Sequence, residues 1–178
     1  MSAPGPTRAA KKTRDDWETP PALFDALNRE FRFTLDAAAN ADNRKCERYL
    51  TEEEDALEVD IFDQVVWCNP PYGRGLKEWV VAFADWSLAG STVVALLPAN
   101  TDTEWFKIVW FWSHEIRFLA GRVNFVGSSS GNTGGSMVVV FRPQPPQIRL
   151  VSKGESAGFV VSNYVPPRVS LWDWRAGL

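Results

Sequence analysis

The sequence is poor in the residues that metal, redox and acid–base centres most often use. It has one histidine, His114, and two cysteines, Cys46 and Cys68. The cysteine spacing fits no metal motif, and two such thiols suit a reducing intracellular compartment. A single histidine leaves no His-rich metal site and little room for a histidine-based triad. No apolar run reaches the roughly 18 residues of a membrane span, which excludes a transmembrane helix. Residues 1–15 lack the apolar stretch of an export signal, so a cytoplasmic protein is expected. No internal repeat is present. The chemistry has to come from other side chains or from a bound cofactor.

What is present is an ordinary globular composition. Of 178 residues, 45% are hydrophobic and 23% charged, which rules out general disorder and supplies one domain with a full core. The net charge of −3 is unevenly spread: residues 1–65 hold nine basic against fifteen acidic side chains, and residues 66–178 hold ten against seven. Overall acidity therefore says little against a nucleic-acid partner, because binding depends on a local basic face. Residues 1–15 read as a disordered basic tail and 16–178 as one domain.

Thr19-Pro20 reads as a helix start, with a hydroxyl cap and then proline in the first turn. Leu23, Leu27 and Phe31 continue the stripe to about residue 31. Phe33-Thr34-Leu35 reads as a short strand running into the small-residue turn Asp36-Ala37-Ala38-Ala39, and 47–51 as a second short strand. Val65-Val66-Trp67-Cys68 is apolar enough for a strand buried on both faces. Leu76, Trp79, Val80 and Phe83 mark a helix ending near Gly90. A strand follows from Thr92 to Leu97. Thr101 and Glu104 have capping-box spacing ahead of an apolar helix. Ile116 to Leu119 and Met137 to Phe141 read as strands separated by the Gly/Ser loop 127–135. Further strand-like pieces fall near 148–151 and 159–161. Helices alternating with strands, then a late adjacent pair, predict an α/β protein with a mostly parallel sheet and an antiparallel edge strand.

The sharpest signal is Asn69-Pro70-Pro71-Tyr72, directly after a buried strand. Ligands of open parallel sheets bind outside the carboxyl ends of the strands. A rigid Pro-Pro turn there can fix one side-chain amide and one free carbonyl, both hydrogen-bond acceptors, as a bound exocyclic amine requires. The tyrosine offers a face for a planar base. Methylating an aromatic amine needs this set, because its lone pair is delocalised into the ring. Two acceptors on its hydrogens raise its nucleophilicity and stabilise the positive charge that develops as a sulfonium methyl donor approaches. Neither histidine nor metal is required.

Taken together, the motifs resemble the phage-type DNA N6-adenine methyltransferases, the Dam-like family. The resemblance rests on Trp17-Glu18-Thr19-Pro20, Phe33-Thr34-Leu35-Asp36-Ala37-Ala38-Ala39, Asn43, Tyr49, Asp55-Ala56-Leu57, Trp67-Cys68-Asn69-Pro70-Pro71-Tyr72-Gly73, Leu96-Leu97-Pro98-Ala99, Thr101-Asp102 and Gly121-Arg122 with Phe125, in this order. It implies a Rossmann-like methyltransferase fold with helices on both faces of the sheet. It also implies S-adenosylmethionine as donor, DNA as partner and a phage or prophage setting, with no metal and no membrane. Asn69, Pro70, Pro71 and Tyr72 would form the catalytic turn, with Asn69 also meeting the cofactor. Asp36 would meet the ammonium of the cofactor's methionine end, with Ala37 in the turn behind it. Asp55 would meet the cofactor's adenine, although it adjoins the solvated acidic run 52–54. Trp17, Thr19, Pro20 and Asn43 would pack on the cofactor or shape its loop, although capping and anchoring also explain Thr19, Pro20 and Trp17. Arg122, with Arg117 and Arg142, would follow the phosphates. The rival readings are N4-cytosine methylation, which the same acceptor pair fits, and a catalytically silent nucleic-acid-binding scaffold. Residues 147–178 form a C-terminal extension whose role, like the oligomeric state, the motifs leave open.

Overall fold

A computed structural model of the chain describes residues 18–126, 134–143, 148–153 and 159–164. The basic tail, Trp17 and most of the Gly/Ser loop lie outside the described residues. The elements run α1 (Pro21–Phe31), β1 (Leu35–Asp36), a 3-10 turn (Ala56–Glu58), β2 (Val65–Cys68), α2 (Leu76–Leu88), β3 (Thr92–Pro98), α3 (Glu104–Trp112), β4 (Glu115–Phe118), β5 (Ser136–Phe141), β6 (Ile148–Lys153) and β7 (Phe159–Tyr164).

Five strands form one mixed sheet in the order β1-β2-β3-β5-β4, and β6 pairs with β7 in a separate antiparallel ribbon. β1, β2 and β3 are parallel, while β5 runs antiparallel to both β3 and β4. Four strands therefore point one way and β5 the other. This corrects the expected antiparallel edge strand: β5 lies inside the sheet. Composition gives the reason. All six residues of β5 are buried, so it needs neighbours on both sides, whereas β4 carries Glu115 and Arg117 and tolerates the edge. The expected strand at 47–51 reduces to one parallel bridge between Tyr49 and Asp36.

Strand alternation divides the core between two faces. Leu35, Val66, Cys68, Val93, Ala95, Leu97, Val139 and Phe141 pack against α2 and α3. Trp67, Val94, Leu96, Val138 and Val140 face Phe24 and Leu27 of α1, with Val123 and Phe125. Helices thus cover both faces, as expected.

The helix ends differ in detail from the sequence reading. Pro20 occupies the cap position of α1 and Pro21 opens the helix, so Thr19 is buried ahead of it rather than capping it. Thr103, not Thr101, precedes α3, and its Oγ1 donates to the Asn100 carbonyl at 2.9 Å. α2 ends as expected, at Gly90. Ser91 N donates to Trp86 O at 2.9 Å and Gly90 N to Ser87 O at 3.2 Å, with Gly90 at φ +98°. This is a Schellman closure, in which the left-handed residue satisfies carbonyls that the helix leaves free.

Candidate active site

The parallel strands β1 and β2 end side by side at Asp36 and Cys68, in register Asp36↔Trp67. The chain beyond β2 turns at once into Asn69-Pro70-Pro71-Tyr72. The ends of two neighbouring strands therefore bring Asp36 and Asn69 into one pocket. Its wall is Glu18, Thr19, Asp36, Ala38, Asn43, Lys45, Trp67 and Asn69, and it opens to solvent.

Asp36 is 2% exposed. Its Oδ2 accepts the backbone N–H of Lys45 at 2.9 Å, and its Oδ1 accepts that of Ala38 at 3.4 Å. Burial outweighs these bonds and pushes its carboxyl up to about 6. The small-residue turn matters here, because Ala37 is 1% exposed and donates its N–H to the Trp67 carbonyl at 2.9 Å. A larger side chain at Ala37 would not fit against β2.

Asn43 reaches the pocket from a tight loop. Its Oδ1 accepts from Asn40 N at 2.7 Å, while Asn40 Oδ1 accepts from Asp42 N and Asn43 N at 2.9 and 3.1 Å. Glu18 and Lys45 were not singled out by sequence reasoning, yet they form an ion pair of 2.7 Å in the pocket wall, 24% and 12% exposed respectively. Glu18 was visible as a motif letter beside Trp17. Lys45 carried no signal, since only folding reveals its loop turning back onto Asp36. The segment holding Glu18 and Thr19 is itself fixed across the site, with Val126 N donating to Glu18 O at 2.9 Å.

In the Asn-Pro-Pro-Tyr turn, Pro70 is buried and Pro71 exposed. The Oδ1 atom of Asn69 is buried and receives no hydrogen bond, while the residue is otherwise engaged. Tyr72 is held at both ends. Its hydroxyl donates to the Leu96 carbonyl of β3 at 3.0 Å, and its ring meets Phe125 edge-on at 6.2 Å. Burial of the hydroxyl moves its pKa upward, so it stays protonated. Tyr72 is half-buried and is not in the pocket wall.

Other expected residues fall elsewhere. Asp55 is exposed, at φ 44°, and its Oδ1 accepts from Leu57 N at 3.2 Å to cap the 3-10 turn. It is not in the pocket wall, and neither is Pro20. Arg122 is exposed in the segment after β4, which leaves the sheet at the same end as Asn69. Arg142 follows β5 at the opposite end, where Phe141 pairs with Val93. Arg117 is committed internally: its guanidinium binds both carboxylate oxygens of Glu30 at 2.6 and 2.7 Å and those of Glu115 at 2.7 and 3.1 Å. Arg117 and Arg142 both lie over the ring of Phe31, at 5.3 and 5.8 Å. Among the described residues no helix is long and apolar enough to cross a membrane.

A family profile described as DNA N-6-adenine-methyltransferase (Dam) matches residues 6–158. The DNA N-6-adenine-methyltransferase of Haemophilus phage HP1 is 31% identical over 150 residues, covering 80% of this chain and 87% of that protein. The protein of the same name from Escherichia phage T1 is 27% identical over 158 residues, covering 76% of this chain and 66% of that protein.

Proposed function

The chain belongs to the DNA N-6-adenine-methyltransferase (Dam) family, and from that premise we propose that it methylates the N6 amine of adenine in DNA with S-adenosylmethionine as donor. The observation that carries this reading is the meeting of Asp36 and Asn69 in one pocket at the carboxyl ends of adjacent parallel strands. The mixed sheet with helices on both faces then serves as a Rossmann-like methyltransferase domain.

The donor set of the pocket suits the methionine end of the cofactor. Two carboxylates and one ammonium line it, giving a formally negative wall for a ligand that carries more positive than negative charge. When bound, the cofactor would supply an electrophilic sulfonium methyl group. The protein's own part is to hold the amine. Asn69 Oδ1 and the Pro70 carbonyl accept its two hydrogens, while Pro71 stiffens the turn that aims them. Tyr72, fixed through Leu96 and Phe125, stacks on the adenine. The base must first leave a duplex, since its amine otherwise lies inside the stack. No side chain of the turn is placed to keep the proton that the methylated amine would lose, so that proton would pass to solvent. Asp36 takes the cofactor's ammonium, with Thr19 and Asn43 beside it. Arg122, at the same end of the sheet, is the phosphate contact of this reading. The enzyme acts in the cytoplasm of a phage-carrying bacterium.

The test is methyl transfer from labelled S-adenosylmethionine to unmethylated DNA, with mass spectrometry of the nucleosides. An Asn69→Ala variant is expected to lose at least about 10²–10³ in turnover, the scale for removing one preorganised polar group, and to bind the donor as the parent does. Equal turnover overturns the mechanism, and methyl appearing on cytosine overturns the substrate.

A further inference from the structure

The Glu18–Lys45 pair is an odd investment if its only task is stability. Ion pairs this shielded from water roughly break even against their desolvation, and this one stands in the wall of a ligand pocket. Lys45 is fixed twice. Its backbone N–H holds Asp36 Oδ2 at 2.9 Å, and its ammonium holds Glu18 Oε1 at 2.7 Å. The ammonium itself pairs with Glu18 alone, but it shares the pocket wall with Asp36 and acts on that carboxyl electrostatically. A zwitterionic α-amino-acid group carries the complementary pattern, one carboxylate beside one ammonium.

We infer that Lys45 is the receptor for the α-carboxylate of the methyl donor and that Glu18 holds Lys45 in place until the donor arrives. On entry the Lys45 ammonium exchanges the Glu18 carboxylate for the ligand's carboxylate, and Glu18 joins Asp36 in facing the ligand's ammonium. No covalent bond changes, and each charge keeps an opposite partner. This deepens the donor reading above and rests on it. The arrangement also makes a prediction about the product. With the carboxylate held by Lys45 in both cases, the donor's sulfonium is still attracted to the two carboxylates of the wall, an attraction lost once it has become a neutral thioether. Release of the demethylated product is thereby built into the charge balance of the pocket. Glu18 further ties this exchange to the far rim, because its backbone carbonyl accepts from Val126 at the end of the segment that carries Arg122.

The experiment is calorimetric binding to the full chain, without DNA, of S-adenosylmethionine and of its decarboxylated analogue, which keeps the sulfonium and the amine. The parent is expected to bind the decarboxylated analogue about 10–30-fold more weakly, the worth of one charge-assisted contact. Lys45→Met is expected to weaken intact donor by a similar factor and to distinguish the two ligands by less than about twofold. Lys45→Arg, which keeps the charge, should retain most of the discrimination. Equal binding of both ligands by the parent overturns the inference without any variant, and so does discrimination that survives in Lys45→Met. A parent that binds neither ligand overturns the donor reading itself, a distinct result.

Discussion

The two edges of the central sheet, β1 and β4, use the same residue types to opposite effect. At the carboxyl ends of β1 and β2, Asp36 is buried with two backbone donors, and burial drives its pKa up to about 6. At the far edge, on β4, Arg117 pairs with both Glu30 and Glu115, and its hydrogen bonds hold both carboxyls below their ordinary value. The second cluster clamps the end of α1 onto β4 through one guanidinium shared by two carboxylates, with Arg142 adding a second positive charge and Phe31 packed beneath both guanidinium groups. The first leaves charge under-compensated in a pocket. Under-compensation costs stability and gives a ligand something to neutralise, so the direction of a carboxyl's shift separates the binding edge from the clamping edge.

The comparison breaks most sharply at Asp36. Asp36→Asn is expected to lower donor affinity about 100-fold, near 3 kcal/mol, while the free protein unfolds no more easily than the parent. The sign follows from linkage. The folded carboxyl has the higher pKa, so its stabilising contribution is complete below the unfolded value near 4 and disappears as pH rises through about 6. Between those values the parent loses up to about 3 kcal/mol through this group. Urea denaturation at pH 4.5 and pH 7 should show that slope in the parent and a shallower one in Asp36→Asn. Identical slopes would mean that burial does not penalise this carboxylate.

Away from both clusters, Gly90, where α2 turns toward β3, tests whether stability can be removed without touching the chemistry. An added Cβ would meet Asp63 Oδ1 at 2.5 Å on a backbone at φ +98°. Gly90→Ala is expected to cost about 2–3 kcal/mol in denaturant titration and to leave donor affinity of the folded protein unchanged. The smallest effect is at Arg117. Arg117→Met is expected to cost about 1 kcal/mol, typical of a partly exposed charge cluster, with no change in DNA affinity. Arg122→Ala, by contrast, should weaken DNA binding and flatten its logarithmic salt dependence by about one. The reverse pattern would move the phosphate track to the other end of the sheet.

How much of this was legible in the sequence depended on whether a feature was local. The run Val65-Val66-Trp67-Cys68 and the turn after it carry their own signals, apolar continuity and paired prolines, so both β2 and Asn69 were foreseeable. Asp36 was foreseeable from the strand-then-alanine pattern. Lys45 was not, because nothing near it in the chain distinguishes it from a surface lysine; its role comes from a loop folding back nine residues onto Asp36. Arg117 misled for the same reason, its partner Glu30 lying 87 residues away. The place of β5 could have been read from its composition: six residues with no charged side chain suit the interior better than β4, which carries Glu115 and Arg117. Order in sequence argued otherwise, and packing decided.

The interior position of β5 also bears on how the chain reaches its native state. β5 is the last strand of the main sheet to be synthesised, yet it forms the only bridge between β3 and β4. Until residue 141 has been made, β4 has no strand to join and β3 offers an unpaired apolar flank. A nascent or truncated chain ending before Ser136 therefore presents two open edges to its neighbours, the condition under which strands pair between molecules. Early termination in this gene would yield aggregates rather than a smaller working protein.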